Sequence, residues 1–126
     1  MQKPSFIFKI VQVLLVFTLN CISATQLKAQ LSHKVLFLGN SYTGVNNLPQ
    51  LIHDVALSAG DTLIFDSHTP GGSQLKDHSV DVSSQNKIKN SGWDYVVIQG
   101  QSQEPVVLAG QFSNGGVALY DMIKQY

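Results

Sequence analysis

Three short apolar runs, separated by stretches of helical periodicity, predict an α/β fold with a parallel sheet and helices on both faces. The runs lie at 35–38, 62–67 and 96–98, each bounded by glycine or polar residues. A parallel strand buried on both faces reads as such a continuous run rather than as an alternation. The order strand, helix, strand, helical stretch, strand, helix is that of linked βαβ units.

The first strand, 35–39, ends at Gly39, which marks a sharp exit. Asn46 and Asn47 precede a helix whose face is Leu48, Leu51, Ile52, Val55, Ala56 and Ala59. Asn47 is its expected N-cap, Pro49 fits the first turn and Gly60 supplies the stop. The second strand, 62–67, runs into a loop, Thr69-Pro70-Gly71-Gly72-Ser73. Residues 74–91 are polar and suit one or two short helices, closed by Gly92. Trp93-Asp94-Tyr95 leads into the third strand. Residues 99–116, rich in Gln, Ser and Gly, read as a long loop, after which Leu119, Met122, Ile123 and Tyr126 begin another helix face. That face meets neither cap nor breaker by Tyr126, and a domain of this class ordinarily carries further strands. The expectation is a chain truncated before its last strands.

The first 29 residues read as targeting, not fold. Lys3 and Lys9 stand without an acid, 10–19 is almost wholly apolar, and Ala29 is a small residue at a cleavage position. This is the pattern of a secretory signal peptide and implies a periplasmic or secreted product. The apolar core is short against the about 20 residues that a span requires, so no stable membrane span is expected after cleavage. Cys21, the only cysteine, lies in this segment, and the mature chain has no disulfide to rely on. Removing Lys3, Lys9 and Lys28 leaves five lysines against eight acids, with no arginine anywhere. That balance excludes a nucleic-acid partner, which needs a basic face, and removes the usual bidentate clamp for phosphate.

Ser41 follows the strand exit at Gly39-Asn40, at the carboxyl end of a strand, where open α/β sheets bind ligands. It is the candidate nucleophile; the competing reading is a cap or loop hydroxyl. Phosphate-loop spacing between Gly39 and Gly44 fails because Val45-Asn46 stands where Lys-Ser/Thr is needed. Ser41 also occupies the second glycine position of a dinucleotide fingerprint, and Thr43 replaces the last glycine of a Gly-x-Ser-x-Gly elbow.

Taken together, Phe37-Leu38-Gly39-Asn40-Ser41-Tyr42-Thr43, Gly71-Gly72-Ser73 and Tyr95-Val96-Val97-Ile98-Gln99-Gly100-Gln101-Ser102-Gln103 resemble three ordered blocks of the SGNH (GDSL-like) hydrolase superfamily. The resemblance covers most of 35–103 and is similar to an exported branch. It implies a three-layer α/β/α sandwich, flavodoxin-like, of which this chain is the N-terminal portion. It further implies a serine esterase: Ser41 attacks, and the oxyanion is met by the backbone N–H groups of Ser41 and Gly72 and by a block-three amide. Preorganised donors of this kind stabilise the charge that develops on the carbonyl oxygen. The family asparagine is absent from block three. Gln101 aligns with it if the strand register is kept, and Gln99 is the alternative; glutamine carries the same NH₂ on one more carbon. The Gln-Gly-x-Ser form is similar to carbohydrate acetylesterase branches, so the implied substrate is a carbohydrate-linked acetyl ester.

A serine needs a base. The family supplies it from an Asp-x-x-His block, which this chain lacks. His33, His53, His68 and His78 read as surface, cap or loop residues, with His53 on the polar side of its helix and His68 closest to the pocket. They are scattered, so no metal site is indicated, and no cofactor is implied. The alternative function is a secreted, non-catalytic carbohydrate- or ligand-binding domain, for which Trp93 and Tyr95 could be invoked as sugar platforms, although they suit packing at the start of a strand.

Overall fold

The computed structural model describes residues 29–90 and 92–126, so the signal-peptide reading and Cys21 fall outside the described residues, apart from Ala29. Three parallel strands form an open sheet in the order β2-β1-β3, with β1 Ser32–Leu38, β2 Thr62–His68 and β3 Tyr95–Ile98. The helices are α1 (Ser41–Gly44), α2 (Leu48–Ser58), α3 (Leu75–Val80), α4 (Val82–Lys89), α5 (Glu104–Val107) and α6 (Ala109–Ile123), with a 3₁₀ turn at Val45–Asn47. The chain is α/β with a parallel sheet.

β1 is central. Val35 pairs with both Phe65 and Tyr95, and Leu38 with both His68 and Ile98. Side chains alternate between faces along a strand, and here both faces are covered. Leu36 and Leu38 enter the main core with Leu75 of α3, Ile88 of α4 and Leu119 of α6. Val35 and Phe37 are buried on the opposite face, where Phe37 meets Phe65 edge-on and Phe65 meets the His53 ring of α2. Two buried faces explain the unbroken apolar run. Each fully buried leucine contributes about 1.5–3 kcal/mol, which makes Leu36, Leu38 and Leu119 the centre of the packing. Trp93 packs against this cluster and its indole N–H donates to the Lys87 carbonyl at 2.8 Å, as a residue at the start of a strand should. Tyr95 is exposed and lies edge-on to His33.

Several expectations are corrected. Asn47 does not cap α2: it sits in the left-handed region at φ 51° with no capping bond, next to Asn46 at φ 59°. Asparagine tolerates that region, so the pair makes the turn rather than the cap. The inward face of α2 is also rotated. Pro49 is buried and Ile52, His53 and Ala56 are half-buried, whereas Leu48, Leu51 and Val55 are exposed. His53 therefore faces the sheet, and its Nδ1–H donates to the Leu63 carbonyl at 2.7 Å.

The stretch 99–116 is not a long loop. It holds α5 and the first half of α6, glycines included. Glycine costs a helix roughly 1 kcal/mol relative to alanine, but Gly115 is where α6 crosses α3. A Cβ there would stand 2.8 Å from the Leu75 carbonyl carbon, so close packing selects glycine against its propensity. The helical pattern ends at Ile123, where the Lys124 N–H bonds back to Tyr120, and does not run on through Tyr126.

Candidate active site

The site is built where the three strands end. Gly39 leaves β1 with its N–H on the His68 carbonyl at 3.1 Å, and Gln99 leaves β3 with its N–H on the Leu38 carbonyl at 2.8 Å. The loops after β1, β2 and β3 therefore start side by side, and they carry the three sequence blocks.

Asn40 links them. It is buried, and its backbone N–H donates to Gln99 Oε1 at 3.1 Å. Its side-chain amide donates to the Ser73 carbonyl at 2.9 Å, and its Oδ1 accepts from the Tyr42 N–H at 3.1 Å. Asn40 is thus the cap of α1, an arrangement worth about 1 kcal/mol. The capping reading of Ser41 fails for that reason: its neighbour does the capping. Ser41 is exposed, and its hydroxyl has no hydrogen-bond partner among the described residues.

Gly72 lies in the turn closed by the Ser73 N–H on the Pro70 carbonyl, with φ 74°. That region is open to glycine at no steric cost, and a Cβ on Gly72 would meet nothing within 4 Å. Its surroundings are open, as close approach of a ligand to the backbone requires.

The two glutamines have different surroundings. Gln99 Oε1 accepts from both Asn40 N–H and Thr43 Oγ1–H, the latter at 3.0 Å, and its Nε2 donates to the adjoining Gly100 carbonyl. Both of its side-chain polar atoms are bonded within the loops. Gln101 accepts from the Gln103 N–H through Oε1 at 2.7 Å, and its Nε2 donates to no described residue. Of the two amides, that of Gln101 is the one left for a ligand.

Two further residues escaped the sequence reading. Glu104 is fully buried and accepts from the backbone N–H groups of Gln101 at 2.5 Å and Leu75 at 3.2 Å. It ties the third loop to the start of α3, just past the second. An acid before Pro105 is an ordinary helix-start signal; nothing in the pattern announces its burial. His78, read as a surface or loop residue, is buried instead, between Gly39 and Ser84.

None of the remaining histidines bonds to Ser41 among the described residues. His33 lies in β1 with Nδ1 3.7 Å from Asp94 Oδ2, and His68 Nε2 is 3.1 Å from Asp81 Oδ2. The Ser84 N–H donates to the Asp81 carboxylate, which holds its pKa below the ordinary value despite some burial, and His68 and His78 add to the effect. Partial burial pushes the Asp66 carboxyl up, but bonds from Lys87 and the Ser67 N–H outweigh it and hold Asp66 low as well. Among the described residues there is no cluster of three metal-ligating side chains, and no helix is long and apolar enough to cross a membrane. A small apolar hollow lined by Ile88, Trp93, Val96, Ile123 and Tyr126 shares no residue with the three loops.

Comparisons of the chain with protein families, with curated proteins and with solved structures find no match.

Proposed function

We propose that this chain carries the nucleophile and oxyanion-binding part of an exported serine ester hydrolase of the SGNH type, in a three-layer α/β/α sandwich. Ser41 Oγ attacks the ester carbonyl carbon, and the carbonyl oxygen becomes an oxyanion. The N–H groups of Ser41 and Gly72 and the Nε2 amide of Gln101 receive that charge. The tetrahedral intermediate collapses with loss of the alcohol, and water then hydrolyses the acyl-serine. A general base accepts the serine proton; none of the four histidines takes this role, and the resemblance assigns it to a later Asp-x-x-His block. The substrate class, acetyl esters on carbohydrate, follows from the Gln-Gly-x-Ser form of block three.

The observation that carries the reading is the junction at Asn40. Asn40, through its buried side chain and its backbone N–H, joins the three strand-exit loops, while the adjacent Ser41 is exposed and its hydroxyl bonds to none of the described residues. An exposed hydroxyl on so firmly held a loop supports reading Ser41 as a reactive group rather than a structural one. One observation favours the alternative, a non-catalytic ligand-binding domain: no histidine or carboxylate bonds to Ser41 among the described residues. Hydrolysis of a chromogenic acetyl ester by the protein expressed from its complete reading frame separates the two. The enzyme reading expects turnover that Ser41→Ala abolishes; the binding reading expects none in either.

A further inference from the structure

We propose that His78 is a positioning residue that, together with Gln99, locks the peptide unit joining Gly39 to Asn40 and so fixes the direction in which Ser41 leaves the sheet. The inference rests on the reading of Ser41 as the nucleophile.

The ring of His78 is 1% exposed. Its Nε2 lies 2.8 Å from the Gly39 carbonyl oxygen, and its Nδ1 lies 2.8 Å from Ser84 Oγ. A carbonyl oxygen only accepts, so Nε2 carries a proton. In the neutral ring Nδ1 then accepts, and the Ser84 hydroxyl donates to it. Ser84 is itself wholly buried, and its backbone N–H is held by Asp81 Oδ2 at 2.7 Å. The ring is therefore oriented from α4 and aimed at the strand exit. The other titratable groups facing it are His68, edge-on from β2 at 5.8 Å between ring centres, and Asp81, which pairs with His68.

The peptide after Gly39 is planar, so its C=O and N–H point to opposite sides of one rigid unit. His78 holds the C=O and Gln99 Oε1 holds the N–H at 3.1 Å. Two bonds on opposite edges remove the rotation of that plane, which is otherwise soft at a glycine. Space enforces the same choice: a Cβ on Gly39 would come within 2.6 Å of Thr43 Oγ1 and 2.9 Å of Gln99 Oε1. Ser41 follows this unit by one residue. A tilt of the plane moves the serine hydroxyl relative to the Gln101 donor, whose backbone N–H is anchored separately on Glu104. A misplacement of about 1 Å at a reacting atom can cost about 10²-fold in rate.

The test compares His78→Phe, which keeps a ring but donates nothing, with His78→Gln, whose Nε2 amide reaches a similar place and donates. Both are measured in the protein from the complete reading frame, beside Ser41→Ala, on a chromogenic acetyl ester. The expected result is a fall in kcat of about 10²-fold for His78→Phe with KM nearly unchanged, and recovery of most of that loss in His78→Gln. Unchanged kcat in His78→Phe, with Ser41→Ala inactive, overturns the positioning role and leaves the nucleophile standing. Equal loss in both His78 variants overturns it too, because the donor is then not what matters. Full activity in Ser41→Ala removes the nucleophile and this inference with it. Nitrogen NMR of the wild-type imidazole is an independent check that needs no variant to fold. A slowly exchanging Nε2–H at neutral pH is expected, and a ring protonated on Nδ1 alone contradicts the proposal.

Discussion

The side-chain amide of Asn40 donates to the backbone carbonyl of Ser73 across 2.9 Å, and this bond joins the loop that carries Ser41 to the loop that carries Gly72. Asn40→Asp keeps the acceptor that caps α1 but loses the donor, and it sets a buried carboxylate against a carbonyl. We expect a loss of about 1–3 kcal/mol at neutral pH, read as a lower denaturant midpoint with an unchanged slope. The loss should shrink in acid, where the introduced carboxyl is protonated and can donate again. A variant as stable as wild type at neutral pH would mean that the two loops are held together by something else.

Gln99 and Gln101 should separate stability from rate. Gln99→Leu removes the acceptor of the Asn40 N–H and of the Thr43 hydroxyl, so it should cost about 1–3 kcal/mol of stability. Gln101→Ala should leave stability nearly unchanged. It should lower kcat by about 10²–10³ with little change in KM, because its amide matters mainly once the oxyanion has formed. A stable Gln99→Leu with a large loss of kcat, beside an active Gln101→Ala, would move the oxyanion donor to position 99.

Asp66 and Asp81 both titrate below the ordinary 3.8, so each is a better partner charged than neutral. A depressed carboxyl contributes stability that is present above the unfolded value and lost as pH falls through the folded one. The acid limb of a stability profile should therefore steepen below about pH 4. Asp81→Ala removes the Ser84 cap and the His68 pairing together. It should be less stable than wild type at pH 7 and lose less on acidification. Parallel acid limbs in the two proteins would show that Asp81 is not one of the groups responsible.

Gly115 and Gly110 make a matched pair within α6. A Cβ at Gly115 meets the α3 backbone, whereas one at Gly110 meets nothing within 4 Å. Gly115→Ala should destabilise by about 1–3 kcal/mol through overpacking. Gly110→Ala should be neutral or stabilise by up to about 1 kcal/mol by restricting the unfolded chain. Equal thermal shifts in the two variants would mean that α6 does not cross α3 at Gly115.

That same contact explains why half of α6 was illegible. Gly110, Gly115, Gly116 and the polar residues among them read as loop on propensity, and at Gly115 it is the approach of α3 that makes glycine the fitting choice. β1 was legible because 35–38 is buried on both faces and needs an apolar residue at every position. The rotation of α2 was not, since Leu48, Leu51 and Val55 satisfy helical spacing as well as Pro49, Ile52 and Ala56 do. At the site, the strand-exit glycine and the serine stand out in the sequence. The bonds that hold the Gly39–Asn40 unit, from His78 and Gln99, run between residues 39 and 59 positions apart, a separation that no local pattern records.

The central claim is that Ser41 is a nucleophile, and covalent labelling by a serine-directed phosphonate tests it most directly. The protein expressed from its complete reading frame is treated with the reagent, digested, and the modified peptide located by mass. The account predicts a single stoichiometric label on the peptide containing Ser41, and none in Ser41→Ala. Labelling that persists undiminished in Ser41→Ala, or an unlabelled wild-type protein that still hydrolyses the acetyl ester, would contradict it.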